Sequence, residues 1–279
     1  MGPAAFSFIA DSLTNIERRP ATLEEPHAIN VEVAIPVKPA TPERSFLSAE
    51  WRDLALLNYE IEPDVLLPLV PRGTELDFWD SRCFVSVVGF RFLKTRLMGV
   101  PIPFHTNFLE VNLRFYVRRE VQGEVRRGVV FVKEIVPRRA IAWVARVVYN
   151  ENYVALPMRH AVDAASARYE WRFDGAWNGL ALAGLSDWHV ADPASEAAFI
   201  TEHYWGYAVQ RDGSTLEYQV EHPRWRVAQA TEVELACDVG RLYGNEFVQA
   251  LSRKPASAFL ADGSAIVVRR GRRLPVGEA

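Results

Sequence analysis

The stretch FLEVNLRFYV (Phe108–Val117) constrains the fold more than any other part of the chain. Its residues alternate strictly. Glu110, Asn112, Arg114, Tyr116 and then Arg118 point one way; Val111, Leu113, Phe115 and Val117 point the other. A period of two belongs to a β-strand, not to a helix. Gln122–Gly123 supplies a hairpin turn, and Gly128–Val136 returns as a second strand. Pro137 then opens a predicted helix with Ile141, Val144, Ala145 and Val148 on one face and Arg139, Trp143 and Arg146 on the other.

Strand signals dominate elsewhere too. Ala49–Ile61 is apolar enough to be buried on both faces, and Cys83–Leu93 reads as a long strand with Gly89 as a candidate bulge. Pro63–Val70 and Pro193–Ile200 read as short helices. Asp174–Gly175, Asp212–Gly213 and Asp262–Gly263 each mark a turn between strands, because Asp-Gly supplies positive φ. Residues 1–45 carry six prolines and little apolar periodicity apart from Ile29–Val37, so they read as a proline-rich arm ahead of one domain over 46–279. The expected class is β-rich α+β, a closed or nearly closed antiparallel barrel with a few short helices.

Composition narrows function. Hydrophobic residues make up 49% of the 279, enough for a sizeable core. A net charge of −3 and a pI of about 6.1 give no field for nucleic acid or for an acidic membrane surface. The two cysteines, Cys83 and Cys237, form no CxxC, which fits a reducing cytoplasm. No GxGxxG, Walker loop, GxSxG or HExxH occurs, so no nucleotide, serine-hydrolase or zincin chemistry is indicated. Among the six histidines, His203 and His222 meet across the Asp212–Gly213 hairpin but lack further metal ligands, and His105 sits in a proline-rich loop near the expected barrel mouth. No metal and no cofactor is expected. The polar face of Phe108–Val117 is either a solvated surface or a cavity wall; alternation alone does not distinguish the two. Arg139 and Arg146 likewise read either as a solubilising helix face or as carboxylate ligands.

Several segments carry a resemblance: EWRDLALLNYEI, LVPRGTELDFWD, VSVVGFRFLKTR, IPFHTNFLEVNLRFYV, VPRRAIAWVARVVYNENYVALPM and FITEHYWGY. From Phe46 to about Arg270 the chain resembles the YqjF-like family, domain-of-unknown-function family 2071, which is placed in the acetoacetate-decarboxylase-like superfamily. The resemblance implies an acetoacetate-decarboxylase-like β-barrel with an internal cavity. It puts the superfamily's buried glutamate on Glu110 and its arginine on Arg146. The decarboxylase's lysine pair falls on Tyr153 and Val154, and another of its arginines on Glu60. An imine with a ketone requires a lysine amine, and this chain has only Lys38, Lys94, Lys133 and Lys254. Of these, Lys133 alone lies on a predicted core strand.

Two functions follow. The first is a cytoplasmic small-molecule site for a carboxylate or carbonyl compound, with Glu110 as the catalytic proton-transfer group. Arg114, Arg146, Tyr153, Asn112 and Tyr116 would bind the ligand, with Arg114 or Arg146 also pairing Glu110. The second is a non-catalytic ligand-binding or assembly protein that kept the barrel and lost the reaction. The expected partner is a small molecule, with no nucleic acid and no membrane; a homo-oligomer stays open.

Overall fold

The computed structural model describes residues 45–101, 103, 105–137 and 152–274. The proline-rich arm and the helix expected after Pro137, with Arg139 and Arg146, lie outside them.

The strands run in chain order as β1 (Ser45–Glu60), β2 (Glu75–Leu76), β3 (Phe84–Leu97), β4 (Val100–Pro101), β5 (Phe108–Val121), β6 (Glu124–Val136), β7 (Tyr153–Ala155) and β8 (Met158–Val162). They continue as β9 (Ser166–Phe173), β10 (Ala176–Leu185), β11 (His189–Val190), β12 (Trp205–Val209), β13 (Thr215–Glu221), β14 (Arg226–Ala236), β15 (Ser257–Arg269) and β16 (Arg272–Arg273). The helices are short: α1 (Pro63–Leu66), α2 (Glu196–Thr201), α3 (Val239–Leu242) and α4 (Val248–Leu251). None among the described residues is long and apolar enough to cross a membrane.

Hydrogen bonding runs β13-β12-β6-β5-β3-β1-β15, and β15 pairs back to β13, so seven strands form a ring. β14 leaves the ring. Its first residues pair with β15 and its later ones with β10, which leads on to β9 and β8. This outer sheet covers one flank of the ring. Two apolar clusters result. Leu54, Leu56, Phe84, Phe90, Phe259 and Ala261 belong to the cluster inside the ring. Ala55, Leu57, Val85, Val87, Trp171 and Leu180 belong to the cluster between ring and outer sheet. Strands between two apolar layers must be apolar on both faces, which explains the run of buried residues from Leu54 to Tyr59.

Two glycines have roles other than those expected. Gly89 is paired on both sides and forms no bulge. A Cβ there would sit 2.8 Å from the Tyr169 ring, so glycine is what lets β9 pack that ring flat on β3. Tyr169 reaches further and donates its hydroxyl to the Asp53 carbonyl at 2.7 Å, where β1 shifts register against β3 and Asp53 adopts φ 56°. Asp262–Gly263 makes no turn: β15 runs through it as a single strand. Gly263 has φ 70°, and a Cβ would lie 2.1 Å from the Trp51 carbonyl oxygen. Positive φ serves a close strand approach here as readily as a hairpin.

The ring closes through short contacts. β12 meets β6 in parallel at Trp205–Gly128 and Gly206–Val129, and β13 meets β15 at Val220–Val268 and Glu221–Val267. Glu217 of β13, with its side chain fully buried, holds this seam. Its carboxylate takes Arg126 of β6 at 3.0 Å, Arg272 of β16 at 2.6 Å and Arg119 of β5 at 3.4 Å, and accepts the Tyr207 hydroxyl of β12 at 3.3 Å. Removing the carboxylate would leave arginine charges buried without it. Glu217→Ala is therefore expected to cost roughly 3–5 kcal/mol in urea unfolding at neutral pH; a loss below about 1 kcal/mol would show that the strand pairs hold the seam unaided.

Candidate functional site

The inside of the ring holds a cavity of about 190 Å³. Its walls are mainly apolar and rich in aromatic rings: Trp51, Phe90, Phe92, Phe108, Phe131 and Trp205 all line it. The alternation of β5 decides what polar chemistry enters. Val111, Leu113, Phe115 and Val117 pack into the outer cluster, which turns the even-numbered residues inward. Glu110, 3% exposed, and Arg114, 8% exposed, line the cavity. The polar face of β5 is thus a cavity wall over these residues.

Glu110 accepts from Asn112 Nδ2 at 3.0 Å and from the Tyr153 hydroxyl at 3.4 Å. Tyr153 is brought in by β7 pairing parallel to β6 and also lines the cavity. The expected Glu110–Arg114 ion pair is absent among the described residues. Residues four apart on a strand share a face but are about 13 Å apart along it, so a common face does not bring them into contact. Arg114 instead donates Nη2 to the Ile200 carbonyl in α2 at 3.4 Å, lies 5.7 Å from the Tyr116 ring centre, and has no partner at Nε. Arg146 lies outside the described residues.

Asn112 and Tyr116 stand behind the wall and are not among the residues that line the cavity. Asn112 supports Glu110. The Tyr116 hydroxyl shares a 2.6 Å hydrogen bond with Ser86 Oγ, which donates to Asn58 at 2.6 Å; Asn58 donates to Ser257 at 2.9 Å, and Ser257 bonds Glu196. A buried hydroxyl held in such a chain is committed to it. Lys133 pairs with Leu113 on the outer face, and its ammonium donates to the Leu242 carbonyl of α3. Burial lowers its pKa, yet it faces away from the cavity. No described lysine lines the cavity.

Sequence reasoning missed one pair. His203 Nε2 lies 3.3 Å from Asp77 Oδ2, and the same oxygen accepts from Arg127 Nε at 2.6 Å. His203 lines the cavity; its ring packs against Tyr116 and Phe199, and its Nδ1 is buried without a partner. Burial drives its pKa down to about 4, opposed by the Asp77 bond and reinforced by Arg127 and Arg114. Burial also drives His222, stacked on Trp225, down to about 4. Both imidazoles are neutral near pH 7, and Arg114 is the one arginine or lysine of the described cavity lining. Asp77 is held below the usual carboxylate range: burial would raise it, but the bonds from His203 and Arg127 outweigh that. His105, with Nδ1 2.7 Å from the Pro103 carbonyl oxygen, lines the cavity as well. The described residues contain no group of three or more His, Cys, Asp or Glu side chains able to hold a metal.

Comparison with known proteins agrees with this architecture. A family model, DUF2071, described as an uncharacterized conserved protein, matches residues 48–265. The uncharacterized protein YqjF of Bacillus subtilis is 26% identical over 192 residues, 67% of this chain and 76% of its own. Acetoacetate decarboxylase from Legionella pneumophila superposes with a TM-score of 0.60 at 13% identity, covering 94% of this chain and 100% of that one. The enduracididine biosynthesis enzyme MppR complexed with pyruvate gives a TM-score of 0.60 at 11% identity, over 86% and 95% of the two chains. The fold is the β-rich, acetoacetate-decarboxylase-like one.

The neutral His203 makes stability depend on pH. Its folded pKa of about 4 lies below an unfolded value of about 6.5, so between these pH values the unfolded chain binds a proton that the native chain does not. The stability it contributes is complete above pH 6.5 and is lost as pH falls toward 4, by about 3 kcal/mol. Urea unfolding at pH 7 and pH 4.5 should show the loss, and His203→Gln should reduce it. An unchanged pH dependence in that variant would assign the effect elsewhere.

Proposed function

This chain belongs to the DUF2071 family, and from that premise we propose that it binds a small carboxylate or carbonyl compound inside the ring and performs acid/base chemistry on it. The observation that carries this is Arg114: a buried guanidinium in a mainly apolar cavity wall, within salt-bridge distance of no acidic side chain among the described residues. A buried cation held this way is costly unless an anion joins it, and a planar fork suits a carboxylate. The MppR complex with pyruvate is consistent with such a ligand in this fold.

Glu110 is the proton-transfer group. It sits within the wall, and its two oxygens are oriented by Asn112 and Tyr153. For a ligand with a C–H beside a carbonyl, the proton passes to the Glu110 carboxylate and the electron pair moves onto the carbonyl oxygen. Once Glu110 has taken the proton it no longer needs the Tyr153 hydroxyl as a donor, and that hydroxyl turns its proton to the ligand oxygen. An imine route lacks its nucleophile, since no described lysine lines the cavity and Tyr153 and Val154 occupy the lysine positions. A cytoplasmic location fits the free thiols Cys83 and Cys237.

The test is deuterium exchange at the carbon next to the carbonyl of 2-oxobutanoate and acetoacetate, followed by NMR. The chain should accelerate exchange, and Glu110→Gln should remove about 10²-fold or more of that acceleration. No acceleration by the wild-type chain would favour a non-catalytic binder. Borohydride added with acetoacetate should leave the intact mass unchanged, whereas an adduct mapped to Lys133 would restore an imine mechanism from an unexpected face.

A further inference from the structure

We infer that the preferred ligand is a monocarboxylate bearing an aryl group, with its carboxylate on Arg114 and its ring among the aromatic side chains at the other end of the cavity. This rests on the carboxylate site proposed above and names its substrate class.

The register of the ring fixes the two ends. Arg114 pairs with Ser86 on β3, while Trp51 pairs with Phe92 on the same strand. Those β3 positions are six residues apart, on the order of 20 Å at about 3.4 Å per residue. Across the cavity the two ends come closer than along the strand: Arg114 is near enough to His222 for its charge to act on that imidazole, and His222 stacks at 4.2 Å on Trp225, which meets Trp51. At the far end Trp51 meets Phe90, Phe92 and Trp225 edge-on, with centroids 5.5, 5.8 and 6.2 Å apart, and Phe92 stacks on Phe108 at 4.5 Å. Faces and edges at these separations complement another aromatic ring better than an alkyl chain. The volume, about 190 Å³, is of the size that takes a benzene-like body, for which about 150 Å³ suffices.

Charge sets the orientation. Glu110 and Glu134 line the middle of the cavity, with Glu110 paired in register to Phe90 and Glu134 to Asn112. An anionic group is directed from there toward Arg114, past two histidines held neutral. The aromatic end also holds two buried polar atoms without partners among the described residues, Trp51 Nε1 and Thr95 Oγ1. A ring oxygen on the ligand would meet them, so a hydroxylated aryl acid fits better still.

The experiment is calorimetric titration of the full chain with 3-phenylpropionate, 3-(4-hydroxyphenyl)propionate, acetoacetate and neutral 3-phenylpropanol. The aryl acids are expected to bind at least tenfold tighter than acetoacetate and than the alcohol. Arg114→Gln should weaken them tenfold or more, and Arg114→Lys, which keeps the charge but loses the fork, should retain part of the affinity. Phe92→Leu should reduce the preference for the aryl acids over acetoacetate while leaving acetoacetate binding in place. If acetoacetate binds as tightly as the aryl acids in an Arg114-dependent way, the aryl preference is wrong and the carboxylate site stands. If no carboxylate binds, both fail. If the alcohol binds equally and Arg114→Gln changes nothing, the cavity is an apolar site and the orientation is overturned.

Discussion

The fold depends on closing a sheet whose seams are short. Most ring strands pair over long registers, but the β12–β13 hairpin joins its neighbours through two residue pairs on each side. Backbone hydrogen bonds alone give such seams little strength. The Glu217 carboxylate compensates by drawing arginines from β5, β6 and β16 onto one buried point. A buried ion cluster is a poor source of net stability but a strong source of specificity, because every alternative register strands a charge. The closed ring encloses the cavity, and this cluster sits at the seam that closes it.

Inside the ring, several polar groups are held in place by their neighbours. Glu110 is oriented by Asn112 and Tyr153, Tyr116 is tied into a serine–asparagine chain, and His203 is turned by Asp77. Arg114 stands apart, because its contact is with a carbonyl at the end of α2 and its charge meets no acid among the described residues. In a low-dielectric interior that asymmetry is costly, and it is what an anionic ligand would relieve. No described lysine lines this wall, and Tyr153 stands in it beside Glu110.

Much of this was written locally in the chain. The strict alternation of Phe108–Val117 announced a strand with one apolar and one polar face, and the Gln122–Gly123 hairpin placed β6 beside it. What was not legible were relations of distance. Period two says which side chains share a face but not which can touch, so Glu110 and Arg114 looked like a pair and are not. The Asp77–His203 link joins residues 126 positions apart, and neither neighbourhood hints at the other. Asp262–Gly263 signals positive φ, and that signal is the same whether a strand turns back or presses against its neighbour.

Tyr169 has a consequence for how the molecule opens. Its ring fills the space over Gly89 and its hydroxyl satisfies the Asp53 carbonyl at the irregularity in β1. Peeling the outer sheet away would at once uncover a bare stretch of β3 and strand a backbone acceptor in β1. Those penalties fall together on the same motion, so partial detachment is not a low-energy fluctuation. Losing the outer layer and baring the packed faces of β1 and β3 are then one shared event, so the two layers behave as a single cooperative unit rather than a lid on a vessel.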